Sequence, residues 1–442
     1  MRTMFRILAY VVLVGLLVTA AVWLADRPGT VAIRWQGWRV DTSVPVLLVA
    51  LFLIALAFGG LIRLWRLIVG LPGRRRERRR RRGYLALTDG LGAVAAGDAT
   101  RARKNARRAE SLLRDPPLTL LLSAQAAQLG GDAEAAKRHF STLLERPETA
   151  FLGLRGLLTQ ALRVGDQTAA LDYARRAHAL NPDVGWLTAT LFDLQVRAGS
   201  WGEAQKTLDD GTKRHAFSAE EARRKKAVVL HERAGQAAGS DRKEAIALAR
   251  QAHQADPGLP AAAIRLAELL AADGKIRKAE AALADAWRID PHPDLMKAYL
   301  AMAPDQDVLQ RVRRAEKLAA ARPDHPESHL AIGTEALRAK LWGQARKHLL
   351  AAAEARPAAQ VYRLLAEVEE AEGGDAAAVR NWLAKAAEAP PDAVWLCRQC
   401  GTVGPQWSTL CPTCHGLDTI AWTDPLHPPA ALPAMTQTQP AA

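Results

Sequence analysis

The sequence predicts an all-α protein with two N-terminal transmembrane helices, a long α-solenoid of helical repeats, and a small C-terminal module held by four cysteines. Three observations predict this architecture. Two charge-free apolar stretches lie near the N-terminus, and a set of turn residues recurs at regular intervals through the middle of the chain. All four cysteines are confined to one short stretch near the C-terminus. With 442 residues, the chain is long enough for several domains.

The two apolar stretches, residues 7–25 and 44–62, are of equal length and contain no charged side chain. A helix of that length spans about 28 Å, close to the ~30 Å hydrocarbon core of a bilayer. A cleaved signal peptide is the alternative for the first stretch, but its length and the second span favour a transmembrane helix. Arginines flank the outer ends of both spans, so we expect residues 1–6 and the rest of the chain to be cytoplasmic and the loop 26–43 periplasmic. The location would be a bacterial inner membrane, and the alternation around Gln36-Gly37 is compatible with a small hairpin in the loop.

The basic residues are concentrated near the N-terminus. Residues 1–83 carry 15 arginines against three acidic residues, whereas the remainder of the chain is almost neutral. Eight of these arginines lie between Arg74 and Arg82, in the juxtamembrane segment 63–83. Such a run could bind nucleic acid, but directly beneath a membrane we expect contact with anionic lipid headgroups instead. A nucleic-acid groove is not expected in the larger part of the chain.

From residue 84 to 390 the chain is rich in alanine, leucine and arginine, lacks strand-like runs, and is predicted to be helical. Turn residues recur at a constant interval at Gly97-Asp98, Gly131-Asp132, Gly165-Asp166 and Gly199-Ser200. Prolines recur at similar spacings, apart from one longer gap that fits two units. A period of about 34 residues is the signature of tetratricopeptide (TPR) repeats, each a helix–turn–helix unit. The pattern indicates about nine units, least regular between residues 200 and 257.

A TPR solenoid buries its core between neighbouring repeats and leaves a long groove that normally binds a peptide or a partner helix. A spacer that only holds other parts apart is the alternative. No dinucleotide fingerprint, Walker loop or zinc-protease motif occurs in residues 84–390, and no catalytic constellation is found. We therefore predict protein partners for the groove, no catalytic residues, and a protein that is not an enzyme.

The C-terminal module, predicted at residues 391–422, contains Cys397, Cys400, Cys411 and Cys414 in the spacing C-x2-C-x10-C-x2-C. Two C-x-x-C knuckles place four thiolates at the corners of a tetrahedron. Four soft sulfur ligands select zinc, or iron in a mononuclear site. The site is expected to be structural, with three tryptophans packed around it or against the last repeat: Trp395, Trp407 and Trp422.

Two other interpretations of the cysteines are open. The stretch C-P-T-C-H, which ends at His415, matches the attachment pattern of c-type haem, and a cysteine pair could be a redox dithiol. The haem pattern leaves the first cysteine pair unused and requires the periplasmic side of the membrane. A four-cysteine metal site is therefore favoured, with His415 not a ligand.

The proline-rich tail, residues 423–442, is predicted to be disordered.

The N-terminal part of the chain resembles the HemY family of bacterial inner-membrane proteins. The resemblance rests on the two spans, the loop G-T-V-A-I-R-W-Q-G-W-R-V-D-T-S, the arginine-rich exit, and a first repeat with G-D-A-T-R-A-R-K-N-A-R-R-A. With the repeats it covers residues 1 to about 390. It implies a membrane-anchored TPR protein without established catalytic activity that acts in a late stage of haem biosynthesis. Partners implied by it are haem-pathway enzymes such as ferrochelatase or coproporphyrinogen oxidase, with haem or porphyrin as a candidate ligand.

The C-terminal module looks like the rubredoxin-type metal module of lipopolysaccharide assembly protein B (LapB), also a TPR protein tethered to the inner membrane. The segments C-R-Q-C-G, C-P-T-C and D-T-I carry this similarity, which implies that the four cysteines are the metal ligands. The two-span anchor and the loop favour a HemY-type scaffold that recruits cytoplasmic partners. The alternatives are a LapB-like regulator of lipopolysaccharide synthesis and a redox or haem-binding protein.

Overall fold

The computed structural model describes residues 11–12, 14–16, 18–19, 22–23, 29–35, 37–113 and 116–425. The chain is mostly helical, as predicted, and forms two compact units, Met1–Leu122 and Ser123–Ala442. Of the predicted first transmembrane helix, residues 7–25, nine residues are described and all nine are helical, whereas the other ten and the tail from residue 426 onward lie outside the described residues. The predictions for these two segments therefore stay predictions.

The first unit contains an antiparallel hairpin of strands β1 (Thr30–Trp35) and β2 (Trp38–Ser43). Gly37 between them has a φ of 86°, a left-handed conformation that glycine adopts without strain. Helix α1 (Val44–Ala95) follows at once, with a proline in its first turn, where the missing N–H has no intrahelical partner to lose. Its first part, Val44–Trp65, has a mean hydropathy of 2.7 and is unburied, so it is long and apolar enough to cross a membrane.

Helix α1 does not end where the second span was predicted to end. It runs for 52 residues, from the apolar stretch through the arginine-rich segment and into the first repeat. There it packs against α2 (Ala99–Leu112), and a Cβ built on Gly83 would lie only 2.6 Å from the side chain of Leu113. The first charged residue, Arg63, and the arginines that follow do not end the helix. The span and the first helix of the first repeat are one continuous helix.

Eight further helix–turn–helix pairs follow in the described part of the chain, which gives nine pairs, in agreement with the predicted count. They are α3 (Pro116–Leu129) and α4 (Ala133–Leu143), α5 (Pro147–Val164) and α6 (Gln167–Leu180), α7 (Gly185–Arg197) and α8 (Trp201–Lys213), α9 (Ala219–Ala237) and α10 (Arg242–Ala255), α11 (Pro260–Ala272) and α12 (Ile276–Ile289), α13 (Pro293–Ala301) and α14 (Val308–Ala319), α15 (Pro326–Arg338) and α16 (Trp342–Ala355), and α17 (Ala359–Ala371) and α18 (Ala376–Glu388).

The regular recurrence of turn residues has a direct structural cause. The recurring glycines lie in the turns between paired helices with φ values of 69° to 80°, which glycine adopts without strain. The aspartate that follows caps the second helix of the pair. Asp98, for example, accepts a hydrogen bond of 2.9 Å from the backbone N–H of Arg101, and Asp132 and Asp166 make the same contact in the next two pairs. In the irregular stretch a serine takes the place of the missing proline, since Ser218 caps α9.

Small side chains allow the helices of the second unit to approach closely. In its largest core cluster, alanines of α10 and α11 such as Ala249 and Ala263 are fully buried. The first helices of consecutive pairs, α9, α11, α13, α15 and α17, also contact one another side by side. We call the surface that these five helices form the inner surface. It is the surface on which TPR solenoids bind their partners.

The C-terminal module is a three-stranded antiparallel sheet in the order β4-β3-β5. Its strands are β3 (Val394–Cys397), β4 (Val403–Gly404) and β5 (Ile420–Thr423). Its buried core cluster consists of four residues, two of which are cysteines: Trp395, Cys397, Cys411 and Ile420. A core of this size cannot stabilise a module on its own, so a metal or the contact with the repeats must contribute.

Candidate metal centre and its contact with the repeats

Two loops of equivalent geometry position the four cysteines. In the first loop the N–H of Gly401 donates to the carbonyl of Cys397 at 2.9 Å, and in the second the N–H of His415 donates to that of Cys411, also at 2.9 Å. Each loop closes with a further hydrogen bond from the N–H of its first cysteine to the carbonyl five residues later, at 2.9 and 3.0 Å. The paired C-x-x-C motifs therefore form two equivalent knuckles.

The four sulfur atoms lie within 4.8 Å of one another. Cys397 Sγ is 3.7 Å from Cys414 Sγ, and Cys400 Sγ is 3.6 Å from Cys411 Sγ. A tetrahedral ion with metal–sulfur bonds of ~2.3 Å separates its ligands by about 3.8 Å, which matches these distances. A disulfide would require about 2.05 Å, and all four cysteines are free thiols. The four side chains could therefore bind one metal ion.

Hydrogen bonds to sulfur stabilise negative charge at this centre. The backbone N–H groups of Gln399 and Cys400 donate to Cys397 Sγ, and a hydrogen bond of 3.2 Å links that sulfur to the hydroxyl oxygen of Thr419. Burial raises the pKa of Cys397, but these hydrogen bonds outweigh it and lower the pKa to about 6. Burial and the neighbouring sulfurs instead raise the pKa of Cys414 to about 12. Four thiols this close lose all their protons only when a cation compensates the charge.

The structure places His415 outside the sulfur cluster. Its φ of 54° is left-handed, and it occupies the position that Gly401, with a φ of 74°, occupies in the first knuckle. Its side chain is exposed, whereas Cys411 beside it is buried. The second cysteine pair faces the first, so all four thiols belong to one cluster. The histidine of C-P-T-C-H thus contributes to the turn of the second knuckle through its backbone conformation and its backbone N–H.

The module lies on the inner surface, where charged groups of the repeats hold it. Asp418 of the module accepts two hydrogen bonds from Arg224 of α9, at 2.6 and 2.9 Å, and Arg224 also donates to Asp256 at 2.8 Å. Burial alone would lower the pKa of Arg224, but its two carboxylate partners raise it above its ordinary value. About two turns further along α9, Glu232 accepts a hydrogen bond from the hydroxyl of Thr409.

Aromatic rings complete the contact. The ring of His292, which precedes α13, lies 4.8 Å from the ring of Trp395 and 5.1 Å from that of Trp422. Trp395 Nε1 donates to Asp294 at 3.2 Å. Trp407 packs edge-on against His231 of α9 at 5.4 Å and against the core of the repeats.

The module therefore docks on the middle repeats. Its tryptophans were expected around the cysteine site or against the last repeat, and the first alternative is found, because Trp395 belongs to the core with Cys397 and Cys411, and Trp407 and Trp422 pack against that core. The repeat residues that receive the module were missed by the sequence analysis: Arg224, His231, Glu232, His292 and Asp294. Charged residues and histidines of this kind are common on solvated helix faces, and nothing in their local sequence marks them.

Beside the module the inner surface keeps an open groove of about 1030 Å³. One wall consists of α13 and α15, with apolar residues such as Met296, Leu300 and Leu330. The opposite wall comes from the linker 390–393 and from residues 422–424 at the end of the module. The groove thus has walls from both the repeats and the module.

Comparisons with known proteins agree with this architecture. The family described as HemY protein N-terminus matches residues 29–131, which include the hairpin, the apolar part of α1 and the first repeat. A tetratricopeptide repeat family matches residues 237–303. The described part of the chain is accordingly a membrane-associated TPR protein with one helix suited to spanning a membrane.

Several solved structures contain similar helical repeats at low identity. The TPR2AB-domain:pHSP90 complex of yeast Sti1 is 14% identical, covers 71% of this chain and 99% of its own, and has a TM-score of 0.28. MamA of MSR-1 is 19% identical, with coverages of 37% and 95% and a TM-score of 0.23. The Naa15/Naa10 complex bound to HypK-THB is 13% identical, with coverages of 76% and 63% and a TM-score of 0.40. Scores of this size do not establish a common arrangement of the helices.

One relative matches over nearly the whole length of both chains. The probable magnetosome protein Mms48 of Magnetospirillum gryphiswaldense is 31% identical over 447 residues, which cover 98% of each chain. The match includes the N-terminal anchor, the repeats and the C-terminal region together. The chain therefore belongs to the family of HemY-type, membrane-anchored TPR proteins that includes Mms48.

Proposed function

We propose that the protein is a non-enzymatic adaptor of the bacterial inner membrane that holds cytoplasmic proteins next to the bilayer. The observation that carries this proposal is the open groove on the inner surface, because it offers a peptide-sized apolar cleft on a TPR array joined directly to a membrane-type helix. In this arrangement both termini, the repeats and the module are cytoplasmic. The hairpin of β1 and β2 is periplasmic, and the arginines between Arg74 and Arg82 contact anionic lipids.

The four cysteines would hold one Zn²⁺, or iron in a rubredoxin-type site, as a structural centre. Four protein ligands leave no open position for a substrate. The sulfur–sulfur distances and the N–H donors to sulfur support this assignment. The bound ion would fix the two knuckles relative to each other, and with them the wall that the module contributes to the groove.

The HemY resemblance and the HemY family match support a role in a late stage of haem biosynthesis. The recruited proteins would then be haem-pathway enzymes such as ferrochelatase or coproporphyrinogen oxidase, and haem or porphyrin is a candidate ligand. The full-length similarity to a probable magnetosome protein favours a second candidate process, a role in magnetosomes. The proposed adaptor activity is the same for both candidate processes.

The proposal is tested by affinity purification of the tagged full-length protein from native membranes, with co-purifying proteins identified by mass spectrometry. A Cys397→Ser variant is purified in parallel. Enrichment of late haem-pathway enzymes that is lost in the variant would support both the pathway and the contribution of the module. Enrichment of magnetosome proteins would support the second process, and a lipopolysaccharide enzyme or membrane protease would support a LapB-like regulator instead.

Recovery of no specific protein under crosslinking conditions would refute the adaptor function. The haem assignment has its own test, which is the porphyrin content of a deletion strain. Late porphyrin intermediates should accumulate in that strain. Unchanged porphyrin levels would remove the haem assignment and leave the adaptor function standing.

A further inference from the structure

The groove beside the module has an unusual wall, because the end of the described chain forms part of it. Trp422, Thr423 and Asp424 line the groove, and the chain continues from there into residues 426–442. We infer that this tail, residues 426–442, lies in the groove and competes there with segments of partner proteins. The inference rests on the proposed function, since it assigns a regulator to the same groove.

The charges of the groove indicate what kind of segment it accepts. Nine charged residues line it, five acidic and four basic, and the central ones neutralise one another. Glu335 pairs with Arg311 at 3.0 Å and with Arg338 at 2.5 Å. Glu327 pairs with Arg356. A strongly charged segment would have to break these pairs, so the groove suits an uncharged one.

The tail has this composition. Residues 426–442 contain no Asp, Glu, Lys or Arg, and they include four prolines together with leucine, methionine and alanine. Proline-rich segments are extended before they bind and lose little conformational entropy in a groove. The apolar wall from Met296, Leu300 and Leu330 would contact such a segment, and Pro293 and Pro357 lie at its edges.

The size of the groove and the position of the tail also fit. A volume of about 1030 Å³ is comparable to pockets that enclose a drug-sized ligand, so it accommodates a short stretch of the tail rather than its whole length. Because the tail starts at the wall, its effective concentration at the groove is of the order of millimolar. The tail was predicted to be disordered because it cannot form a core of its own. In this position the repeats supply the apolar surface.

The experiment compares the full chain with a chain that ends at Pro425, both in the same lipid nanodiscs. The probe is a fluorescently labelled peptide of residues 426–442, followed by anisotropy, with a scrambled peptide of the same composition as reference. We expect the peptide to bind the shortened chain and to bind the full chain at least about tenfold more weakly, because the attached tail competes. Equal binding to both chains, or no binding to the shortened chain, would overturn the inference.

Two substitutions in the shortened chain localise the binding. Thr334 lies in the groove on α15, half-buried, and its hydroxyl donates to the carbonyl of Leu330 at 2.7 Å. Thr334→Lys places a long cation in the groove and should reduce peptide binding at least about tenfold. Thr190→Lys is the matched control, because Thr190 is half-buried on α7, outside the groove, and its hydroxyl donates to the carbonyl of Trp186 at 2.9 Å. It should leave binding unchanged, and equal effects of the two substitutions would contradict the location.

A second measurement needs no substitution. Hydrogen exchange of the amides of α15 should be slower in the full chain than in the shortened one, and addition of the peptide should restore the slower rate. Identical exchange in both chains would count against the tail as occupant. These experiments use only this chain and its own peptide. They can therefore exclude binding of the tail while the recruitment of partner proteins is confirmed, and they can confirm binding of the tail while no partner is recruited.

Discussion

Asp418 accepts two hydrogen bonds from the guanidinium of Arg224, although 194 positions separate the two residues in the sequence. Arg224 belongs to the fifth helical pair, and Asp418 lies in the module that follows the ninth. The side chain of Asp418 is 17% exposed and that of Arg224 is 37% exposed, so water screens the pair only in part. This bidentate contact orients the module on the inner surface.

Replacement of this carboxylate tests how firmly the module is held. Asp418→Asn removes the charge but keeps a residue that tolerates the φ of 51° at this position. We expect docking to weaken by about 1–2 kcal/mol, because the partly buried Arg224 loses one of its two carboxylate partners and keeps only Asp256. The measurement is the rate of limited proteolysis in the linker 389–393, which should rise. Asp172→Asn, in an exposed pair with Arg176, is the control and should change stability by less than about 0.5 kcal/mol.

Metal analysis tests the sulfur cluster. We expect one zinc or iron atom per chain, with four sulfur neighbours at ~2.3 Å in X-ray absorption spectra if the metal is zinc. Cys411→Ser should reduce the metal content and lower the melting temperature of the module, because its core contains that sulfur. A protein that purifies without metal and keeps its full stability would contradict a structural site.

The backbone at His415 gives a separate prediction. Because the residue has a left-handed conformation and an exposed ring, we expect His415→Gly to retain the metal. The substitution should change the free energy of unfolding by less than about 1 kcal/mol, and an increase is expected rather than a decrease. His415→Val should destabilise the module by about 1–2 kcal/mol, because β-branched residues avoid this conformation. Chemical denaturation of the two variants provides the comparison. Loss of metal from the glycine variant would show that the imidazole, rather than the turn, is required.

The histidines under the module predict a dependence of stability on pH. Burial, assisted by the charge of Arg265, lowers the pKa of His231 to about 4 from its ordinary 6.5. Above pH 6.5 the histidine is neutral in both the folded and the unfolded state, so it does not change the free energy of unfolding with pH. As the pH falls from 6.5 towards 4 only the unfolded state takes up the proton, and stability is lost at about 1.4 kcal/mol per pH unit. Burial lowers the pKa of His292 in the same direction.

The measurement is the difference in melting temperature between pH 7.5 and pH 5. It should be smaller in His231→Gln than in the unsubstituted protein, by the equivalent of roughly 2 kcal/mol. His215→Asn is the control, because His215 is exposed and asparagine tolerates its φ of 57°. The same pH effect in all three proteins would mean that His231 does not contribute to it.

A pair of glycines tests the packing of the repeats. A Cβ on Gly156 of α5 would lie 2.2 Å from the ring of Phe140, and the buried ring has no room to move. Gly156→Ala should therefore destabilise the second unit by about 1–3 kcal/mol. Gly202→Ala, on α8, meets no atom within 4 Å and should be neutral or stabilising by up to about 1 kcal/mol. Thermal unfolding of both variants checks this, and equal destabilisation would contradict the packing described for α5.

The repeats could be predicted because their signals are local. A glycine such as Gly131 and the aspartate after it determine a turn and a helix cap within a few residues, whatever lies elsewhere in the chain. The cluster of sulfurs was predictable for the same reason, since each knuckle spans only a few residues. The four cysteines lie close together, as their spacing in the sequence predicted.

The docking of the module was not predictable in this way. It depends on where the linker after α18 leads the chain and on how many repeats curve beneath it, and neither is encoded near Asp418 or Trp407. The continuity of α1 was missed for another reason. The end of the second span was predicted where the composition changes from apolar to charged residues. A helix is held by hydrogen bonds between backbone groups, and it continues through such a change of side chains.

That continuous helix has a mechanical consequence. Its 52 residues correspond to a length along the helix axis of about 78 Å, of which the apolar stretch accounts for about 33 Å. A protein tethered by a flexible linker samples many heights and directions above the bilayer. Here the first repeat begins in the same helix, so if the apolar stretch spans a bilayer, the length of the helix limits how far that repeat can lie from it. Pro72, which has no N–H to donate within the helix, is the position at which the direction of the repeat could change.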